Sequence, residues 1–412
     1  MNSRGAHLLD STRFLHEGES LDADAVRSLA ESIAATRDRA VIASVAIDPR
    51  TTTVLLREGL GRGRSVALFR TASDLERAIV GPSAISDVVT SGGQIQAVAD
   101  PPAEPTFARV LLTTSGTTGV PKMIAHSWEG LTASIRTVEN DIRWLLTYHP
   151  AAFAGLQVVL TAALSRQVLV SRDRADVSRL AEAAVAHGPE AISGTPSFWR
   201  GFLTSLGQEA RRVPVRFATL GGEATDQGTI DAIRDAFPTA VIRHIYASTE
   251  LGVVFSVSDG RAGFPASWLD QPPGRYRLRV EDGELQVAGK AEPDHACDWF
   301  ATGDLVDAVE DRILFRGRAD SIINVGGTKV QPEGVEDVLT RHPDVVDARV
   351  YSILSPVVGQ LVAADIVARQ PGIDTASVSA WARQHLSREA VPRRFRIVER
   401  LVLNAAGKKS RS

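Results

Sequence analysis

Hydrophobic residues recur along this chain with two different spacings. Between Asp22 and Arg37, Val26, Leu29, Ile33 and Ala34 return every three to four positions, which predicts an amphipathic helix. Two apolar runs follow, Ala40–Ile47 and Thr52–Leu56, and read as strands joined by a turn at Asp48-Pro49-Arg50. Pro101–Pro105 reads as a surface connection. From there the pattern becomes strand–helix. Ala108–Thr113 is a short apolar strand that runs into a loop rich in Gly, Ser and Thr. Leu156–Leu164, Gln167–Val170, Ala191–Ser193, Phe217–Leu220 and Val241–Ile245 are further short apolar runs. Helical segments at Ser178–Ala186 and Thr229–Phe237 lie between them, and the alternation predicts α/β layering with buried strands. After Asp270–Gly274 the signal changes to alternating strands at Tyr276–Val280, Glu284–Val287 and Arg312–Arg316. From about Ser321 the order is βαββα-like. It comprises a helix Pro332–Arg341, strands Val346–Ser352 and Gln360–Val367, and a helix Thr375–Ser387. A domain boundary is expected near Asp320.

Composition narrows the class. The 412 residues carry 46 basic and 49 acidic side chains, a net charge of −3, and 44% of positions are hydrophobic. These are the proportions of an ordinary globular chain with a large core. No long basic run exists to neutralise phosphates, so a nucleic-acid partner is not expected. The single cysteine, Cys297, excludes an internal disulfide and a cysteine-rich metal site, and fits a reducing cytoplasm. Met1–Ser20 lacks the apolar run of a signal peptide, and no stretch of about 18 apolar residues predicts a membrane span. One bias stands out: of the 46 basic residues only five are lysines, at positions 122, 290, 329, 408 and 409.

The most informative segment is Thr114-Ser115-Gly116-Thr117-Thr118-Gly119-Val120-Pro121-Lys122. Two glycines let backbone N–H groups approach an anion, hydroxyls add donors, and Lys122 adds a positive charge. The spacing is not that of a P-loop. Further along stand Gly221-Gly222-Glu223-Ala224, Tyr246-Ala247-Ser248-Thr249-Glu250, Thr302-Gly303-Asp304, Gly317-Arg318-Ala319-Asp320, Asn324–Val330 and Asn404–Arg411. In this order the segments resemble the signature motifs of the adenylate-forming superfamily: acyl-CoA synthetases, adenylation domains of peptide synthetases, and luciferases. The resemblance covers residue 108 to the C-terminus, and the region before it is shorter than in most members. Ala247 stands where the family has Gly.

The resemblance implies a large layered α/β N-terminal domain, residues 1–319, and a small mobile α+β C-terminal domain, residues 320–412. It implies ATP contacts from Thr114, Ser115, Gly116, Thr117, Thr118, Gly119 and Lys122, and along the adenine from Gly222, Glu223 and Ala224. Tyr246 would stack on the purine, Thr249 would donate to the α-phosphate, and Glu250 would hold Mg²⁺. Asp304 would accept the ribose hydroxyls, Arg318 would reach the nucleotide, and Asp320 would be the hinge. Lys408 would be the adenylation lysine, and the loop of Gly326, Gly327 and Lys329 would serve the thioester stage. Four of the five lysines fall in or beside these motifs, where a compact ammonium between two anions is not interchangeable with arginine.

The activity implied is ATP-dependent formation of an acyl-adenylate from a small carboxylic acid, then transfer to the thiol of coenzyme A. Two alternatives are transfer to a carrier-protein phosphopantetheine or an amine, and a non-catalytic nucleotide-binding relative. An acid pocket is expected from His149, Phe153, Phe198 and Gly221. The segment His149–Leu156 contains no acidic residue to pair with an ammonium, which disfavours a free α-amino acid. The aromatic or His gate of the family is replaced there by Ala151 or Ala152, with Phe153 as a substitute.

Overall fold

The computed structural model describes residues 13–17, 23–36, 40–45, 48–80, 85–89, 94–100, 108–114, 122–135, 141–172, 177–289, 298–355, 358–401 and 409. They form two compact units. The first contains the described residues up to Ser193 together with Arg211–Phe217 and Ala247–Val253; the second contains the rest.

The first unit opens with β1 (Arg13–Glu17), α1 (Ala23–Ala34) and β2 (Val41–Val45). Next come α2 (Pro49–Gly61), β3 (Ser65–Phe69), α3 (Ala72–Val80), β4 (Asp87–Val89) and β5 (Ile95–Ala97). Then follow β6 (Val110–Thr114), β7 (Lys122–His126), α4 (Trp128–Thr132), β8 (Arg143–Leu145), α5 (Phe153–Leu164) and β9 (Val168–Arg172). The unit continues through α6 (Val177–His187) into β10 (Ala191–Gly194). One sheet has the order β5-β4-β2-β3-β6-β7. Its inner strands are parallel, and β5 and β7 are antiparallel edges. The register pairs Leu68 with Leu112, Thr114 with Lys122 and Val110 with His126. Because side chains alternate along a strand, Val66, Leu68, Val110 and Leu112 share one face with Ile124 and His126. Helices α1, α2 and α5 cover that face through Leu29, Ile33, Leu55, Leu56, Leu156 and Leu160. The opposite face buries Ala67 and Phe69 against Leu75 of α3. Strands β1, β9, β8 and β10 lie side by side in a second parallel set.

Two expected strands are helices. Thr52–Leu56 lies inside α2, because Asp48 caps it: its carboxylate accepts from Thr51 N at 2.9 Å and Thr51 Oγ1 at 2.7 Å. Pro49 occupies the first turn, where its missing N–H costs nothing. The hydroxyls of Thr52 and Thr53 bond back to the carbonyls of Asp48 and Arg50. The Asp-Pro signal thus opens a helix, and burial of nine of its residues outweighs β-branched propensity. Leu156–Leu164 lies inside α5, a helix apolar on most sides because it is buried on most sides.

The second unit holds α7 (Pro196–Leu206), α8 (Gln227–Ala236), and all but the terminal residues of β11 (Phe217–Gly221), β12 (Val241–Ser248) and β13 (Gly252–Val257). An antiparallel sheet follows, ordered β14-β18-β17-β16-β15. Its strands are β14 (Phe264–Pro265), β15 (Tyr276–Glu281), β16 (Glu284–Gly289), β17 (Phe300–Val309) and β18 (Arg312–Arg318). The last layer contains β19 (Ile323–Val325), β20 (Thr328–Val330), α9 (Pro332–Thr340), β21 (Val345–Ser355) and β22 (Gly359–Ala368). It closes with α10 (Thr375–His385) and β23 (Arg394–Val398), which pairs in parallel with β22. This layer has its own core, drawn from residues such as Val335, Leu339, Val350, Val362, Ile366 and Val378.

Candidate active site

Three of the separated motifs meet in the second unit. The Tyr246 hydroxyl, on β12, donates to Asp304 Oδ2 on β17 at 2.5 Å. Arg318, at the end of β18, donates to Asp304 Oδ1 at 3.3 Å and to the Thr302 carbonyl at 3.1 Å. Its Nε reaches Asp320 at 3.3 Å. Local structure sets the aim of Asp304: Gly303 has φ +75°, and its N–H is held by Glu284 at 2.6 Å. The Thr302 hydroxyl bonds to the Leu285 carbonyl and accepts from Asp304 N. Burial, with Asp304 adding to it, pushes the Tyr246 phenol far above its usual range, so it stays a donor. Burial alone would lower the Arg318 guanidinium, but Asp304 and Asp320 raise it. The Tyr246 ring is held at centroid distances of 5.0 and 5.1 Å from Phe255 and Phe315.

Close by in sequence, Gly221 and Gly222 end β11. A Cβ on Gly221 would come 3.2 Å from the Ile245 carbonyl, and Gly222 has φ +82°. The Glu223 carboxylate is engaged within the unit: Oε2 accepts from Ser197 N at 3.1 Å, in the first turn of α7, and Oε1 from Lys409 N at 3.3 Å. An anion at a helix N-terminus is favourably placed. Ala224 is exposed. Phe198, expected in the acid pocket, is 4% exposed and stacks on Phe202 at 5.1 Å beside the fully buried Trp199. It belongs to the core of α7.

Behind Glu223 lies a buried charge network. Lys409 Nζ lies 3.2 Å from Glu336 and 3.0 Å from Asp347, and also donates to the Ala348 carbonyl at 2.5 Å. Arg200 bonds Asp347 at 3.1 Å, Asp226 at 2.9 Å and Thr229 at 2.9 Å. Burial opposes both cations, yet Asp347 raises each of them. Asp337 is pushed up to about 6 by burial and the nearby Asp226.

The first unit contains the remaining described candidates. Thr249 and Glu250 follow Ser248, whose hydroxyl accepts from Leu251 N at 3.1 Å and shapes the turn. Glu250 is exposed and acts electrostatically on His126. Burial lowers the His126 imidazole despite Glu250. Phe153, the first residue of α5, lies 5.7 Å from the His126 ring. His149 accepts from Ala151 N at 3.1 Å through Nδ1, and burial followed by the Arg70 charge pushes it down to about 4. Gly155 locks this segment: a Cβ there would lie 2.1 Å from the His149 carbonyl oxygen. Lys122 is exposed at the start of β7. Glu250 offers one carboxylate, and no group of three metal-ligating side chains exists among the described residues. Mg²⁺ at a nucleotide uses one or two carboxylates together with substrate phosphates, and Glu250 is a carboxylate of that kind.

In the C-terminal layer, Gly326 and Gly327 form a two-residue hairpin turn with φ +57° and +95°, and Gly327 N donates to Asn324 Oδ1 at 2.9 Å. Two left-handed residues in sequence match such a turn. Lys329 and Asp320 are exposed. Ser115, Gly116, Thr117, Thr118, Gly119 and Lys408 lie outside the described residues.

The sequence model of the AMP-binding enzyme family matches residues 25–292, and that of its C-terminal domain matches 334–408. The chain belongs to the AMP-binding enzymes of the adenylate-forming superfamily. It is 28% identical over 419 residues to the Mycobacterium tuberculosis H37Rv 3-[(3aS,4S,7aS)-7a-methyl-1,5-dioxo-octahydro-1H-inden-4-yl]propanoyl:CoA ligase, covering 91% of this chain and 82% of that one. It is 27% identical to 2-succinylbenzoate–CoA ligase of Geobacillus kaustophilus HTA426, over 72% of this chain and 67% of the other. Among solved structures, a benzoate CoA ligase of Burkholderia xenovorans LB400 superimposes with a TM-score of 0.77 at 18% identity, over 99% and 98% of the two chains. At family level the chain is an AMP-forming acid–thiol ligase. Among the described residues, no helix is long and apolar enough to cross a membrane.

Sequence reasoning about this AMP-binding enzyme missed Arg70, His126, Arg200 and Asp347. His126 carried a usable signal, since it stands two and four residues from Ile124 and Lys122 on one strand face. Arg70 carried none. It is one of 41 arginines, and its neighbours come from a pairing of strands some 44 residues apart.

Proposed function

We propose that this enzyme joins a carboxylic acid to AMP with release of pyrophosphate, and then passes the acyl group to the thiol of coenzyme A. The observation that carries this reading is the meeting of Tyr246, Asp304 and Arg318, from three segments of sequence, in one hydrogen-bonded group. Nothing in a structural core requires a carboxylate between a phenol and a half-exposed arginine. A nucleoside, with its diol and flat base, would use both.

In the first half-reaction the acid's carboxylate oxygen attacks the α-phosphorus of ATP, and the bond to the β-phosphate oxygen breaks. The carboxylate is already ionised at neutral pH, so no side chain need remove a proton. Catalysis consists of holding two anions together and placing positive charge where negative charge grows. Lys408 bridges the carboxylate and the α-phosphate, while Lys122 and the loop before it receive the departing pyrophosphate. Glu250 would hold Mg²⁺, which when bound would supply positive charge to the phosphates. In the second half-reaction the small domain, residues 320–412, turns about Asp320 and withdraws Lys408. The Gly326-Gly327 loop then takes its place, a thiol attacks the acyl carbonyl, and AMP leaves. The named relatives include ligases for aryl and cyclic acids, one of them, 2-succinylbenzoate, a dicarboxylate. A cytoplasmic setting, where ATP and coenzyme A are found, fits this reading.

ATP–pyrophosphate exchange across aryl, fatty, short-chain and amino acids tests it. Exchange should appear with one class of acid, and the AMP product should then form in step with free coenzyme A consumed. A protein that binds ATP but exchanges pyrophosphate with no acid in the panel would overturn the reading.

A further inference from the structure

Lys409 is the last described residue of the chain, and it is gripped both at its side-chain tip and at its main-chain N–H. Its side chain is 6% exposed, and an ammonium has three N–H groups to satisfy. Each has an oxygen within reach: Glu336 at 3.2 Å, Asp347 at 3.0 Å and the Ala348 carbonyl at 2.5 Å. Three acceptors converging on one point suit a compact ammonium and not the planar fork of arginine. That accounts for a lysine at this position in a chain that otherwise prefers arginine. Burial opposes the charge on Lys409, and Asp347 with Glu336 outweighs burial.

The grip on the main chain comes from Glu223. Lys409 N donates to Glu223 Oε1 at 3.3 Å, and this N–H belongs to the planar peptide group that joins Lys409 to Lys408. The other Glu223 oxygen accepts from Ser197 N at 3.1 Å, in the first turn of α7. One turn along the same helix, Arg200 donates from Nη2 to Ser197 Oγ at 3.2 Å and from Nε to Asp347 Oδ1 at 3.1 Å. Lys409 Nζ approaches that same oxygen, so the contacts close into a ring through Glu223, Ser197, Arg200 and Asp347. The motif alone puts Glu223 along the adenine; in the fold both of its oxygens accept from N–H groups of the chain. Its segment still borders the nucleotide group. A Cβ on Gly221 would come 3.2 Å from the carbonyl of Ile245, the neighbour of Tyr246. The ring therefore ties the tail of the chain to the adjacent strands β11 and β12, the second of which carries Tyr246.

We propose that Lys409 and Glu223 form a clasp that positions Lys408 for adenylation. The proposal rests on the adenylation reading above and deepens it, by adding two positioning residues to that reaction. The plane of a peptide group sets the direction in which the preceding Cα leaves it. A held plane therefore narrows the search of the Lys408 ammonium for its place between two anions. The three N–H groups of Lys409 are all directed at the protein itself, so Lys409 takes no part in bond making. In the second half-reaction Lys408 is withdrawn, so the clasp opens and contributes nothing to that step.

The test measures the two half-reactions separately in the full-length enzyme: ATP–pyrophosphate exchange with its preferred acid, and thioester formation from a supplied acyl-adenylate and coenzyme A. Lys409→Met should lower kcat for exchange by about tenfold to a hundredfold, the scale of a reacting group misplaced by about 1 Å. KM for ATP and for the acid, and the rate of the thioester step, should stay within about twofold. In a Lys408→Ala background the same substitution should change exchange by no more than about twofold, because the clasp then has no ammonium to place. Lys409→Met leaves Glu336 and Asp347 short of a cation, so Glu336→Gln serves as a milder variant. Its one amide oxygen can still accept from Val350 N, as Glu336 Oε1 does at 2.8 Å, while the acceptor for Lys409 is lost. It should lower exchange in the same sense by a smaller factor. Amide hydrogen exchange of the C-terminal peptide gives a readout independent of turnover: it should be slow in the wild type and about tenfold or more faster in Glu336→Gln. Equal loss of both half-reactions, or the same fold loss with and without Lys408, would make Lys409 a structural residue only and overturn the proposal. So would a change confined to KM for ATP. A wild type that exchanges pyrophosphate with no acid, while its tail protection still depends on Glu336, would overturn the adenylation reading and leave the clasp standing.

Discussion

Arg200 and Arg70 are both arginines drawn away from water, and their surroundings are opposites. Arg200 has two carboxylates and two hydroxyls on its five N–H groups, and shares Asp347 with Lys409. Arg70 has one long bond to a carbonyl and a buried Nε with none. A buried ion whose partners are built in belongs to the arrangement it is found in, and holds the segments it joins in that arrangement. An ion whose partners are missing has a cost in the free protein, and a ligand can remove that cost. The pairing of buried charges therefore distinguishes these two arginines more clearly than burial does.

The largest effect expected from this contrast is on stability. Arg200→Met should lower the unfolding free energy by about 3–5 kcal/mol, because Asp226 and Asp347 are left buried without their cation. Arg70→Met should lower it by nothing measurable or raise it. Urea unfolding of the two variants decides the matter, and equal losses would end the comparison. Lys409→Met should resemble Arg200→Met in stability, and it adds a kinetic question, since Lys409 ties the tail residue next to Lys408 to Glu336, Asp347 and Glu223. Lys408→Ala itself should cost adenylation a factor of about 10²–10³, the scale of losing one preorganised charge at the reacting centre. It should spare thioester formation from a supplied acyl-adenylate. Equal loss of both half-reactions would contradict a two-position mechanism.

A smaller effect is expected at Gly155. A methyl group there would meet the His149 carbonyl oxygen, so Gly155→Ala should cost about 1–3 kcal/mol as overpacking. It should also raise KM for the acid more than KM for ATP, because the loop carrying His149 and Phe153 must shift. Steady-state kinetics with each substrate varied in turn would show whether the acid is the one affected.

The finest distinction is in pH dependence, where the two regions should differ in sign. His149 has a folded value of about 4, below the ordinary 6.5, so the unfolded chain binds the extra proton first. Its contribution is complete above pH 6.5 and is lost as pH falls towards 4. Asp337 is raised from 3.8 to about 6, so here the folded state binds the proton more tightly. Its contribution is complete below 3.8 and is lost as pH rises through 6. Between pH 4 and 6.5, His149→Gln should therefore flatten a loss of stability in acid, and Asp337→Asn should flatten a gain. Denaturant midpoints at half-unit pH steps would reveal both slopes; a common sign would refute the assignment.

Much of the fold was legible in local sequence, and the exceptions are instructive. Strand β6, helices α6 and α8, and the order of elements after residue 321 follow from periodicity and turn residues. Helices α2 and α5 did not. Thr51-Thr52-Thr53 favours a strand on propensity, and only the Asp48 cap and burial against β3 and β6 make it helical. Tyr246, Asp304 and Arg318 each sit in a compact motif, and the fold joins them in one hydrogen-bonded group. Phe198 was named as a pocket residue and lies in the core beside Trp199, since one aromatic looks like another until its neighbours are known.

The sequence by itself determined the family and the order of the motifs. These are encoded within runs of three to nine residues, where geometry is set by near neighbours. Only the tertiary structure decided which charges are satisfied. Arg200 finds Asp347 across 147 positions, Lys409 finds Glu223 across 186, and Arg70 finds no carboxylate among the described residues. A side chain's charge is written in the sequence, but its solvation depends on what the folded chain brings beside it, and that determines whether an ion is paired within the fold or left short of partners.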